Sequence, residues 1–294
     1  MYPLKSDAIT RDYFNSILVT TRNIDSDLPS TQMELWGKTF ATPVMTAALS
    51  HLNNTCENGM VEFAKGAKDA GAVHFVGMGE KKEFEDIAAT GACAVKIVKP
   101  HEDDAVIFDK LTHAYQSGAF AVGMDIDHAI AGNGEYDNVY GLPMHTKTLG
   151  QLREYVRATP LPFVVKGVLS VEDAVKSVEA GAAGIIVSHH HGMIDSMVPP
   201  LMVLPQIAEA VKGQIKIFVD CCFESGLDAF KALALGADAV CVGRYLMGPL
   251  KENGAQGVTD TINRINGELK AVLARTGSPD PSSIDPAVLR FRSF

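Results

Sequence analysis

The chain is poor in positive charge. Its 294 residues carry 26 Lys and Arg against 35 Asp and Glu, for a formal net charge of −9. Lys and Arg are scattered, and no basic run or face is present to meet a nucleic acid backbone. No apolar stretch reaches the roughly 20 residues that a membrane span requires. The opening residues, MYPLKSDAITRDYF, contain no apolar core of a secretory signal, so a cytoplasmic protein is expected. The five cysteines are odd in number and lack metal-ligand spacing, which predicts reduced thiols and no metal. There is no Pro/Gly-rich linker between blocks, so one domain over residues 1–294 is expected.

Against these absences stands a hydrophobic content of 47%, enough for a large core. Eight short β-rich runs are predicted as strands: Thr42–Ala47, Val73–Gly77, Ala94–Val98, Ala121–Asp125, Phe163–Val165, Gly184–Val187, Ile215–Val219 and Ala239–Val242. Helical patterns separate them. Alternation of this kind predicts a parallel sheet, and eight repeats predict a (β/α)8 TIM barrel. Five helix-to-strand junctions share one device, Gly-Ala at residues 71, 91, 118, 181 and 236. Glycine ends a helix there because it enters the left-handed region without a Cβ clash. Ser170 is predicted to cap the helix that begins VEDAV. Residues 1–41 are expected to form helix and loop closing the barrel's bottom. Residues 258–294 are expected as a helix and an extended tail. The longest irregular stretch, Ile126–Gly150, is expected to carry a lid or substrate loop.

Polar residues gather where the strands end. Lys166, Ser188, His189, His190, Asp220, Gly243 and Arg244 all fall at strand C-termini, and in this fold those ends converge on the active-site face. The loops after the last two strands commonly hold a phosphate there. A histidine with an ordinary pKa near 6.5 can accept a proton at neutral pH. Three adjacent histidines alternate in direction on an extended chain, so they are not expected to ligate one metal. Asp125, Asp127 and His128 form a second polar group, with Asp125, His128 and Met193 as candidate substrate contacts. Cys221-Cys222 reads as a packed pair.

The ordered set Lys166-Gly167, Ser188-His189-His190-His191-Gly192, Asp220, DAFKALALGADAV and Val242-Gly243-Arg244 resembles the FMN-dependent α-hydroxy-acid oxidase/dehydrogenase family, that of glycolate and lactate oxidase. The resemblance implies FMN as cofactor and a small-molecule substrate, with homo-oligomers expected. It implies Lys166 beside the reduced ring and His190 as the base. Ala47, Ala48 and Leu49 would lie against the isoalloxazine, with Gly77, Lys96, Ser188 and Asp220 around it and Gly243 and Arg244 on the phosphate. The chain also departs from the family pattern. Met193 replaces the substrate-carboxylate arginine, Val98 a tyrosine, Cys221-Cys222 a glycine pair and Glu224 the first phosphate arginine. The loop after strand four, DHAIAGNG, lacks the family's arginine. Ordinary short 2-hydroxy acids are therefore expected to be poor substrates, with His128 or Lys96 anchoring a bulkier or less acidic one. Two other readings remain open: a non-redox FMN isomerase of the type 2 isopentenyl-diphosphate isomerase kind, and a flavin-less barrel binding a phosphorylated ligand.

Overall fold

The computed structural model describes residues 5–292. Eight parallel strands close into a barrel. They are β1 (Val44–Leu49), β2 (His74–Val76), β3 (Ala94–Val98), β4 (Ala121–Asp125), β5 (Phe163–Val168), β6 (Gly184–Val187), β7 (Lys216–Val219) and β8 (Ala239–Val242). Helix α1 (Ser6–Ser16) precedes the barrel. Each strand is then followed by a helix: α2 (Gly59–Asp69), α3 (Lys81–Ala89), α4 (Asp104–Gln116), α5 (Leu149–Arg157), α6 (Val171–Ala180), α7 (Pro200–Val211), α8 (Gly226–Ala234) and α9 (Met247–Arg275). The (β/α)8 fold expected from the sequence is thus present, with strand bounds matching to within a few residues. The five Gly-Ala junctions all have left-handed glycines, with φ from 67° to 110°. Ser170 caps α6 by accepting from Asp173 N–H, and Ser225 caps α8 with Asp228 closing a capping box.

Period-two alternation splits every strand between two cores. Val44, Val76, Ala94, Val98, Val122, Met124, Val165 and Val187 face outward, into the layer shared with the helices. Met45, Val73, Phe75, Val95, Ile97, Ala121, Val164, Ile186, Phe218, Ala239 and Cys241 face inward and fill the barrel. The interior is a packed plug, as this fold requires.

The plug is sealed from below by an antiparallel hairpin, Met33–Leu35 with Lys38–Phe40. Its Trp36 meets Phe120 at 5.6 Å and Phe218 at 5.9 Å, while Phe75 meets Phe218 at 5.8 Å. Each such pair contributes about 0.5–1.5 kcal/mol beyond area burial. The hairpin, not the helix before it, closes the bottom. Helix α1 lies at the opposite face, where Asp7, Ala8 and Arg11 border the mouth. This corrects the expectation that the whole leading segment sits beneath the barrel.

The tail after α9 returns as Leu289–Phe291 and pairs antiparallel with Ile17–Val19, just after α1. Helix α9 is broken at Asn253 and Gly254. Residues 1–4 and 293–294 of the expected terminal segments lie outside the described residues.

Candidate active site

Each inward column of apolar side chains ends at the mouth in a small or polar residue. On β4 the column runs Ala121, Gly123, Asp125. On β5 it runs Val164, Lys166; on β6 Ile186, Ser188; on β7 Phe218, Asp220. Asp125 and Lys166 are register partners on adjacent strands. Their side chains therefore leave the sheet side by side, and Lys166 Nζ bonds Asp125 Oδ1 at 3.0 Å. Both are buried, at 4% exposure each.

Burial disfavours the Lys166 ammonium, but Asp125, Asp220 and Asp127 more than offset it and raise its pKa. Burial likewise opposes charge on Asp125, and Lys166, Lys99 and His190 overcome it, holding its carboxyl well below the usual range. A buried charge survives only when paired in this way.

His190 completes the group. Its Nδ1 lies 3.0 Å from Asp127 Oδ1, 3.3 Å from Asp125 Oδ1 and 3.3 Å from Lys166 Nζ. Burial pulls the imidazole pKa down, yet the Asp125 charge and bonds to both aspartates push it up to about 9. Asp127 is raised instead, first by burial and then by Asp125, with His190 opposing. Gly167 makes room for it. At φ +93°, a Cβ on that residue would fall 2.3 Å from the Asp127 carboxyl carbon. This gives the Lys-Gly pair on β5 a physical reason.

The three histidines take three directions. His190 turns to the mouth. His189 is fully buried and its Nε2 meets Thr10 Oγ1 at 2.8 Å, pinning α1 to the loop. His191 meets Asp7 Oδ2 at 2.7 Å and also contacts Arg244. Ser188 accepts from the His190 N–H at 3.0 Å. Its role here is to shape the loop rather than to line the cavity. His128 stands against His190, ring centroids 5.1 Å apart, and its Nδ1 faces Asp137 at 3.2 Å. Burial and then Lys99 lower its pKa.

A cavity of about 690 Å³ opens beside this group. Such a volume falls within the roughly 300–1,000 Å³ of small-molecule sites. One wall is the end of β1, Ala47, Ala48 and Leu49; Lys166, His190 and Asp220 form the floor. The far end is built by Cys221–Glu224, Gly243, Arg244 and α1. There Arg11 bonds Asp228 at 2.6 Å and donates to Cys222 O at 3.2 Å, while Arg244 bonds Asp7 at 3.2 Å. Glu224, about half exposed, lies 3.9 Å from Arg11.

The loop backbone is unusual. His190, His191, Cys221 and Cys222 have φ of 45°, 71°, 75° and 63°. Left-handed non-glycine residues cost free energy, and here four of them border one cavity. The two cysteines hold the conformation that a glycine pair would adopt freely. Burial raises both thiols, Cys222 to about 12, so neither is a ready nucleophile.

Some expected residues sit elsewhere. Lys96 is not at the cavity. Its column is the outward one, its ammonium lies over the Phe84 ring at 5.5 Å, and it donates to Gly77 O at 2.5 Å. Burial and then Lys110 lower its pKa to about 8. Gly77 is engaged with its neighbours, donating to Leu49 O at 2.9 Å. Val98 packs in the outer core. Met193 is half-buried in the loop after β6 and does not line the cavity.

The residue on the inward side at the end of β3 is Lys99. It bonds Asp125 Oδ2 at 2.6 Å. Sequence reasoning missed Lys99 and Arg11. Among the described residues, Asp125, Asp127 and His190 have metal-ligand spacing, but two ammonium groups already occupy Asp125.

FMN fits this arrangement. An apolar plate at β1 suits the ring, Lys166 lies near one end, and two arginines with left-handed loop backbone stand at the other. The acid Asp7 at that end is already matched by Arg244 and His191.

Comparison with known proteins agrees. A family model for FMN-dependent dehydrogenases matches residues 6–154 and 144–291. The L-lactate oxidase of Lactobacillus jensenii is 30% identical over 312 residues, covering 94% of this chain and 76% of the relative. The 4-hydroxymandelate oxidase of Amycolatopsis orientalis is 30% identical over 282 residues, covering 84% and 79%. Among solved structures, a mandelate oxidase variant carrying a C4a-OH-FMN adduct superposes with a TM-score of 0.89 at 28% identity, over 98% of this chain and 91% of that one. Mandelate oxidase with 3,3-difluoro-2-hydroxy-3-phenylpropionic acid gives 0.89 at 27% identity, over 99% and 93%. Barrel, cavity and matches converge: the chain belongs to the FMN-dependent dehydrogenase family.

Proposed function

We propose that the protein oxidises a 2-hydroxy acid to the 2-oxo acid, with His190 as the base and FMN held between Lys166 and Arg244. The observation that carries this reading is the His190–Asp127 bond at 3.0 Å beside Lys166 and an FMN-sized cavity. Bound FMN supplies the two-electron acceptor. Lys166 and the β1 end, Ala47–Leu49, would hold its ring. Gly243, Arg244 and Arg11 would hold its phosphate, Arg by charge-assisted bonds. Asp220 supports the Lys166 charge.

The residues divide the proton work. Asp127 engages Nδ1, which leaves Nε2 as the nitrogen for the proton that the substrate releases. Asp127 then stabilises the imidazolium, as the acid of a catalytic triad does. His128 packs on the ring and limits its rotation. The excursion after β4 would serve as the lid that keeps water out. There Asn138–Val139 pairs with Leu142–Pro143, and Tyr140 meets His51 at 5.3 Å.

Anaerobic stopped-flow mixing with lactate, glycolate and mandelate tests the reading. Flavin bleaching by at least one of them is expected, slowly for these short acids because the family's arginines are absent, and bleaching by none overturns the reading.

Three coarser points accompany this reading. Among the described residues, no helix is long and apolar enough to cross a membrane. Five free cysteines support a reducing, cytoplasmic setting. Exposed Ile130, Tyr136, Tyr140 and Leu142 on the excursion support self-association, which light scattering of the single-domain chain would measure.

A further inference from the structure

We propose that Lys99 is the cation that binds the substrate's carboxylate. This rests on the reading above and supplies what that reading lacks. A 2-hydroxy acid brings a negative charge into a buried site, and an unpaired buried charge costs several kcal/mol. At the family's two arginine positions this chain has Met193 and the arginine-free DHAIAGNG loop, and at its tyrosine position Val98.

The other cations near the mouth are committed. Arg11 and Arg244 stand at the phosphate end, bonded to Asp228 and Asp7. Lys96 points out of the barrel toward Phe84. Lys166 bonds Asp125 on the cavity floor, where the flavin ring fits.

Lys99 differs from each of these. It follows Val95 and Ile97 on the inward side of β3. Its ammonium and the His190 imidazole bond the two oxygens of one carboxylate, Asp125, at 2.6 Å and 3.3 Å. The base and the cation are therefore held one carboxylate apart. A 2-hydroxy acid, whose hydroxyl and carboxylate sit on adjacent carbons, would then set its hydroxyl at His190 Nε2 and turn its carboxylate toward Lys99. An ammonium has three donors, and Asp125 takes one. Lys99 is largely buried, its side chain 12% exposed, and it lines a narrow cleft of about 10 Å³ with Lys96, His101 and Lys110 at the ends of β2 and β3. Its charge is thus poorly screened.

Asp125 is then a positioning residue. It shares one carboxylate among Lys99, Lys166 and His190, which fixes all three. The substrate class follows: a carboxylate on the carbon next to the alcohol, with no second acid needed.

The test compares Lys99→Met and Lys99→Arg holoenzymes with the unaltered holoenzyme. The binding probe is pyruvate, a 2-oxo acid, titrated by perturbation of the flavin spectrum. Its neutral partner is pyruvamide. Lys99→Met should weaken pyruvate at least tenfold, leave pyruvamide within twofold and raise the KM for 2-hydroxy acids more than it lowers kcat. Lys99→Arg should recover most of the pyruvate affinity. Equal losses for pyruvate and pyruvamide, or pyruvate binding within twofold of the unaltered enzyme, overturn the assignment. If Lys99→Met loses its flavin, Lys99→Arg decides alone: pyruvate weakened as much as pyruvamide overturns it. Because the titration needs no turnover, an unaltered enzyme that binds pyruvate through Lys99 yet oxidises no 2-hydroxy acid would sink the proposed reaction and leave this assignment standing.

Discussion

The two halves of the barrel mouth are organised by different physics. On the β6–β8 side the backbone sets the site. Four left-handed residues, His190, His191, Cys221 and Cys222, bend the loops around the cavity, and capped helices follow. On the β3–β5 side the strands are regular and charge sets the site. Lys99 and Lys166 converge on Asp125, and the His190 imidazole reaches across from the β6 loop to join them, so its charge belongs to this half. A backbone-built half tolerates side-chain replacement, which would let Cys221, Cys222 and Glu224 stand in the loop proposed to hold the phosphate. A charge-built half does not, since removing one partner strands another buried charge.

The charge-built half should fail hardest. His190→Ala should slow flavin reduction at least about 100-fold, the lower end of a general base's contribution. His189→Ala and His191→Ala should each cost far less, because His189 is pinned to Thr10 and His191 to Asp7. Stopped-flow reduction of the three variants checks this. A larger loss from either neighbour would move the base.

The same half should show the steeper pH response. The His190 pKa stands at about 9, above its ordinary 6.5. The base must be neutral, so the reduction rate should rise about tenfold per pH unit below 9 and level off above it. Stability runs the other way. A raised folded pKa favours the protonated folded state, so this contribution is complete below about pH 6.5 and is lost as pH rises through 9. Asp127→Asn should move the break in the rate profile down, because one of the groups raising the pKa is gone. A profile flat from pH 6 to 9 would show that His190 is already neutral.

Loss of one arginine from the backbone-built half should be milder. Arg244 is about half exposed and already shared with Asp7. Arg244→Ala should weaken FMN by about 1.5–3 kcal/mol, the range for a hydrogen bond to a charged group. Arg11→Ala should weaken it less, since Arg11 is spent largely on Asp228. Fluorescence titration of FMN gives both numbers. Equal affinities in all three proteins would mean that backbone N–H groups alone hold the phosphate.

The contrast also explains what the sequence could reveal. The β6–β8 half is local: His190, Asp220 and Gly243-Arg244 each follow a strand in an unbroken pattern, and Gly-Ala junctions precede β6 and β8. The strand β3 was harder. AVKIV is apolar on both faces, and both Lys96 and Lys99 are lysines, so the pattern does not say which lysine faces in. A slip of one residue exchanges the two faces. The choice is made by Asp125, which lies 26 residues from Lys99 in the chain. Arg11 was further out of reach. Its place depends on contacts with Cys222 and Asp228, 211 and 217 residues away. The position of α1 over the mouth follows from the same long-range contacts, and no local signal in the leading segment specifies it.

The smallest expected effect gives the most direct test of the backbone's part. Cys222 has φ 63°. A left-handed side chain costs about 1–2 kcal/mol, and glycine removes that cost. Glycine also enlarges the unfolded ensemble, which takes back about 0.4–1 kcal/mol. The Cys222 thiol contributes little in return, with contacts to Asp7 of 3.6 Å and 3.8 Å. Cys222→Gly should therefore stabilise the holoenzyme by roughly 0.5–1 kcal/mol, a rise of about 1–4 °C in Tm for a chain of this size. Cys221→Gly should gain less, because that thiol donates to Asp220 Oδ1 at 3.0 Å and lies 3.7 Å from the Ser188 hydroxyl. Calorimetric scans of the two variants rank them. If Cys222→Gly melts at or below the unaltered protein, the loop stores no strain at that residue. The left-handed turn would then be held by side-chain contacts, as the opposite half is held by charge.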